Sequence, residues 1–118
     1  MIEELISRMF YVRNHAHLQH WAETSGYKHG VLGDFYDSLI DAVDGFVEAY
    51  QGNHGQLDVF DLEPYKVEDE FLACLEENTK WLVKSRDDIC DGVTALENLY
   101  DGITDLFLST RYKLKSFK

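Results

Sequence analysis

Basic residues, cysteines and prolines are all scarce in this sequence, and each scarcity excludes something. Eleven Lys and Arg stand against 22 Asp and Glu, a formal net charge of -11. Such a chain repels a polyphosphate backbone, so nucleic acid is not expected as its main partner. The two cysteines, Cys74 and Cys90, lack CxxC spacing. That argues against a disulfide framework or a zinc knuckle and predicts two small apolar fillers. No apolar run approaches the roughly 20 residues a membrane span requires. The opening MIEELISRMF has no basic stretch followed by a long apolar one, so no secretory leader is expected and the cytoplasm is the expected compartment. Strand-like alternation, internal repeats and low-complexity stretches are lacking too.

What remains is a globular composition, 45% hydrophobic and 14% aromatic over 118 residues. This fits one domain, residues 1–118, able to bury its own core. Four of the eleven basic residues, Arg111, Lys113, Lys115 and Lys118, sit in the last eight positions, where cations are favoured by a helix C-terminus.

The periodicity is helical nearly throughout. Residues 2 to about 24 place Leu5, Ile6, Met9, Arg13, Ala16 and His20 on one face at three- and four-residue steps. A second helix from about Tyr27 to Gln51 aligns Val31, Leu32, Phe35, Leu39, Val43, Phe46 and Tyr50, with Gly52 as its stop. The segment NHGQLDVFDLEPYK, with the only proline, breaks the pattern. A third helix is expected from about Val67 to Ser85, with Phe71, Leu72, Leu75, Thr79 and Leu82 as its stripe. A fourth is expected from about Asp88 to Tyr112, with Ile89, Val93, Leu96, Leu99, Ile103, Leu106 and Phe107 inward and Asp87 or Asp88 as N-cap. Two short loops and one long connection between helices two and three predict an all-α four-helix bundle of ferritin-like connectivity. The long segment is enough to run the length of a helix, which permits helices two and three to be parallel.

Four of the five histidines, His15, His17, His20 and His29, fall within RNHAHLQHWAETSGYKHG. His17 and His20 lie about 60° apart on the first helix. His20 is expected near the middle of the apolar face, where an imidazole must be hydrogen-bonded or ligated, with His15 pointing elsewhere. On the second helix, Asp37, Asp41, Asp44 and Glu48 form an acidic stripe beside the apolar one, with Asp34 at its edge. Carboxylates near imidazoles make a mixed donor set that suits iron, manganese or zinc. A core histidine is also commonly satisfied by a carbonyl, and an acidic stripe is commonly a solvated face. Helices three and four carry no histidine, so any such site has to come from helices one and two.

The run HLQHWAETSGYKHGVLGDFYDSLIDAVDGFVEAYQG resembles the first helix pair of the Dps-like mini-ferritins and of short ferritin-like proteins encoded by phages. The matching residues are His20-Trp21, His29, and Asp44 with Glu48, with His17 one turn before the pair. Two departures stand out. Nine positions separate His20 from His29, fewer than in that family, and Gly33 occupies the place of a carboxylate for which Asp34 or Asp37 would substitute. The resemblance implies a metal centre shared by two subunits, and hence a homodimer or higher homo-oligomer. His20 and His29 would be nitrogen ligands, Asp44 and Glu48 oxygen ligands, and His17 and Asp37 auxiliaries. Ferroxidase chemistry on Fe(II) would follow, in the host cytoplasm if the chain is phage-encoded, with Trp21 as packing or as a sink for oxidising equivalents. The alternative is a non-enzymatic module binding a host protein or a small molecule, through Val59, Phe60, Leu62 and Tyr65 and the edges Tyr36 and Tyr100.

Overall fold

The computed structural model describes residues 1–66 and 70–118. They form a four-helix bundle: α1 Ile2–Ala22, α2 Gly26–His54, α3 Phe71–Cys90 and α4 Thr94–Ser116, with no strand among the described residues. None of these helices is long and apolar enough to cross a membrane.

Each boundary has a local cause. The α1–α2 turn is three residues long, and the Ser25 hydroxyl caps α2 by accepting the Lys28 N–H at 3.3 Å. The Glu23 carboxylate accepts the Ser25 N–H at 3.1 Å, so the turn satisfies its own donors. Gly52 does not end α2. The helix continues through His54 and stops at Gly55, whose φ of 97° only glycine adopts readily and whose N–H closes on the Gln51 carbonyl at 2.8 Å. The expected start of the third helix at Val67 lies outside the described residues, and α3 begins at Phe71.

The α3–α4 break also differs from expectation. Asp87 and Asp88 cap nothing; they lie inside α3, which runs to Cys90. Ile89 extends the buried row Leu75, Asn78, Leu82 and Ser85 of α3, so burial holds the last turn in place. The chain turns at Asp91 and Gly92, with φ of 54° and 73°, the left-handed pair that an Asp-Gly step supplies at least cost. Val93 precedes α4 without a side-chain cap, and Lys113 and Lys115 sit in the last turn of α4, where its dipole favours them.

Ring and polar contacts fix the arrangement. α1 packs against α2 through His17 and Tyr36 and against α3 through His15 and Phe71. α4 packs against α2 through Phe35–Phe107 and Phe46–Tyr100, with centroids 5.3 and 5.6 Å apart. It packs against α3 through Tyr100, whose hydroxyl donates to the Leu82 carbonyl at 2.7 Å. The early part of α2 meets the start of α3 at the Phe35–Phe71 contact, and their ends meet at His54 and Asp91, so these two helices point the same way. Residues 55–66, in the connection between them, follow α1: Ser7 Oγ accepts the Glu63 N–H, and the Tyr11 hydroxyl donates to the Lys66 carbonyl.

The core comes from every helix, with Phe35, Phe46, Tyr100 and Phe107 fully buried among Leu5, Met9, Leu32, Leu39, Leu75, Leu82, Leu96 and Ile103. The aromatic pairs meet edge to face, the geometry their quadrupoles favour. Both cysteines are buried, as expected of small apolar fillers, and burial pushes the Cys90 thiol up to about 11.

Candidate functional site

The short turn from Glu23 to Ser25 brings the last turn of α1 onto the first turn of α2, and two histidines lock the junction. His20 Nδ1 lies 2.6 Å from the His29 carbonyl oxygen, and His29 Nδ1 lies 2.6 Å from the His20 carbonyl oxygen. A carbonyl only accepts, so each Nδ1 carries a proton, and in the neutral ring each Nε2 keeps its lone pair. The two imidazoles stack with centroids 3.6 Å apart and planes 20° apart. The His20 carbonyl is one of the acceptors left over at the end of α1, so the reciprocal bond serves a helix terminus as well.

Gly33 makes room for this. A Cβ at that position would stand 3.1 Å from His20 Cε1 and 3.3 Å from its Nδ1. The glycine that departs from the mini-ferritin pattern is therefore the surface against which the His20 ring lies, and a carboxylate there would displace the ring.

Around the pair the rings continue. His17 stacks on Tyr36 with centroids 4.1 Å apart and lies 4.4 Å from Trp21. Tyr36 also meets the edge of His20 and carries the Arg13 guanidinium over its face at 5.0 Å. Trp21 remains two-thirds exposed. The imidazole at the core is His15, not His20. His15 is 4% exposed and meets Phe71 edge on, whereas His20 is only partly buried. The buried row of α1 runs through Leu5, Met9, Val12 and Ala16, and it leaves Arg13 and His20 at the boundary with α2.

The expected oxygen ligands are elsewhere in the chain. Asp37, Asp44 and Glu48 are all exposed on α2, together with Asp34 and Asp41, and none has an ion pair or side-chain hydrogen bond among the described residues. Asp44 and Glu48 follow His29 by about 22 and 28 Å along the helix axis. Among the described residues no group of three or more His, Cys, Asp or Glu is placed to hold a metal ion. One chain thus brings His17, His20 and His29 together and leaves the carboxylates at a distance on the same helix.

The other expected surface divides as well. Val59 is fully exposed and Leu62 about half exposed, while Phe60 packs against the core. Tyr65 lies against Tyr11 at 5.1 Å and donates to Glu63, and burial together with that carboxylate pushes its phenol up to about 12. Tyr100, expected at an edge, is 0% exposed with its hydroxyl satisfied inside. A carbonyl partner for His20 is among the sequence alternatives, but the reciprocity of the two bonds and the role of Gly33 are not. The only signal for the latter was a glycine one turn after a histidine, on the same face of the helix.

No curated protein and no solved structure matches this chain. A protein-family profile does match, over residues 20–114, and the chain belongs to that family, described as a family of unknown function, DUF5856.

Proposed function

We propose that this chain is a ferritin-like metal-binding bundle that takes up and oxidises Fe(II) at a centre completed by a second copy. His20 and His29 of one copy supply nitrogen donors, and Asp44 and Glu48 of the other supply oxygen donors. The observation carrying this reading is the reciprocal histidine pair. Both Nδ1 atoms are committed to carbonyls, which orients the rings and leaves both Nε2 atoms as lone-pair donors, the usual preparation of a metal-ligating imidazole. Charge supports a second copy as the partner. Along the α1–α2 face, the turn end holds Arg13, His17, His20 and His29 beside the single carboxylate Glu23, and α2 further on holds Asp41, Asp44 and Glu48. Two copies related by a twofold axis across this face set the nitrogen-rich end of each against the carboxylate-rich end of the other. Iron is the favoured ion, with manganese and zinc compatible with the same donors. Neutral imidazoles are required, so uptake weakens as pH falls.

The test is an anaerobic Fe(II) titration followed by air, with solution mass measured alongside. The parent is expected to bind iron as a dimer or larger assembly and to develop ferric absorbance. The double variant His20→Ala, Glu48→Ala, checked for helicity, is expected to lose both. A parent that takes up no iron, or a double variant that oxidises it as the parent does, overturns the reading. The exposure of Val59 and Leu62 supports a second reading, a module whose connection docks another protein; a monomer that ignores Fe(II) selects it.

A further inference from the structure

At the end of the bundle where α1 finishes and α3 begins, the four helices do not close on one another. A cavity of about 290 Å³ opens there, with Leu32, Phe71 and Leu114 among its apolar lining and Glu23, Lys28 and Glu70 among its polar lining. Leu32 and Phe71 are 1% and 4% exposed, so they form the floor rather than the mouth. The aromatic residues nearest in sequence do not plug it. Tyr27, Tyr112 and Phe117 pack on one another on the outside and stay substantially exposed. The cavity lies at the small end of the range for ligand sites, roughly 300–1,000 Å³.

Its polar groups differ in how far they are committed. One oxygen of Glu23 already accepts the Ser25 N–H. Lys28 and Glu70 have no side-chain partner among the described residues. A free cation and a free carboxylate above an apolar floor match a molecule with a carboxylate, an ammonium and an apolar group on one small frame. We propose that this cavity binds a zwitterionic amino acid with an apolar side chain, of the leucine or phenylalanine class. The side chain contacts Leu32, Phe71 and Leu114, the ligand carboxylate meets Lys28, and its ammonium meets Glu70. The cavity lining includes none of the proposed metal donors, although Gln19 and Lys28 adjoin His20 and His29 in sequence.

The experiment titrates the isotope-labelled protein, in the presence of chelator, with L-leucine and L-phenylalanine and follows amide NMR shifts. Saturable shifts at Lys28, Leu32, Phe71 and Leu114 are expected. Phenethylamine and 3-phenylpropionate, which each lack one charge, are expected to bind roughly tenfold or more weakly. Lys28→Met weakens phenylalanine and 3-phenylpropionate but not phenethylamine, and Glu70→Gln does the converse. Both substitutions lie on the rim, so folding is not at stake. No saturable shift up to the solubility limit, shifts confined to other surfaces, or analogues that bind as tightly as the amino acid each overturn the proposal. Because chelator is present throughout, a failure here leaves the iron titration unaffected.

Discussion

The two helical hairpins of this bundle are held together by different chemistry. Between α3 and α4 the contact is a sealed core. Tyr100 is fully buried with its hydroxyl on the Leu82 carbonyl, and outside it Arg86 grips Asp101 through two bonds of 2.7 and 2.8 Å. Between α1 and α2, at the turn end, the contact is made of imidazoles and phenol rings, partly wet, with backbone carbonyls as acceptors. An apolar seal would hold a corner as well or better, since the net value of a hydrogen bond at a wet site is only about 1 kcal/mol. Imidazoles at such a place add little stability over aliphatic packing. What they add is nitrogen lone pairs, so the proposed function draws on the first hairpin while the second secures the fold.

The sharpest way to break this contrast is to cut into the sealed side. Tyr100→Ala removes a buried ring that packs on Phe46 and should cost about 3–5 kcal/mol in chemical denaturation, without touching the histidine corner. A loss below about 1 kcal/mol would mean that the second hairpin is not the stabilising half.

A smaller effect comes from alkali. In the folded chain, burial holds the Cys90 thiol near 11, whereas an exposed thiol ionises near 8.5. Between these values the unfolded chain has lost a proton that the folded chain retains. Stability present below the lower value is therefore lost as pH rises through the window, by about 3 kcal/mol at most. Cys90→Ala should flatten denaturation midpoints over that range. The phenol of Tyr100, raised further by burial, keeps the decline at still higher pH.

The smallest change in stability is expected at the corner itself. Gly33→Ala gains about 1 kcal/mol of helix propensity and loses about as much when the new Cβ pushes His20 off the His29 carbonyl. Melting should hardly move, while the protonated Nδ1 signal of His20 in imidazole NMR should disappear. An unchanged ring signal would show that the glycine is not what seats the histidine.

Much of the fold was legible because burial imposes its period on sequence. The rows Val31, Leu32, Phe35, Leu39, Val43, Phe46 of α2 and Leu96, Ile103, Phe107 of α4 lie inside as their spacing predicts, while Leu99, expected inward with the latter, is exposed. The errors came where two signals competed. Asp87 and Asp88 look like caps, but Ile89 and Cys90 have buried places on α3, and tertiary burial outweighed local capping preference. Gly52 looks like a stop, yet a glycine can ride in an exposed helical turn, and the stop fell at Gly55, where φ is positive. On α1, the assumed row through Arg13 and His20 was displaced by one through Val12 and Ala16, which exchanged the expected places of His15 and His20. Of the expected donors, the sequence singled out the histidines that meet at the α1–α2 turn, but not how they meet. Nothing in the order of residues says that a ring on one helix will bond the carbonyl beneath a ring on the next.

The enclosed thiols carry a practical consequence. With Cys74 at 4% and Cys90 at 0% exposure, a cysteine engineered onto the surface would react with a maleimide dye or spin label far ahead of the native pair. Distances between labels on separate molecules could then be read spectroscopically, on the wild-type background, to test whether two copies associate and in what arrangement.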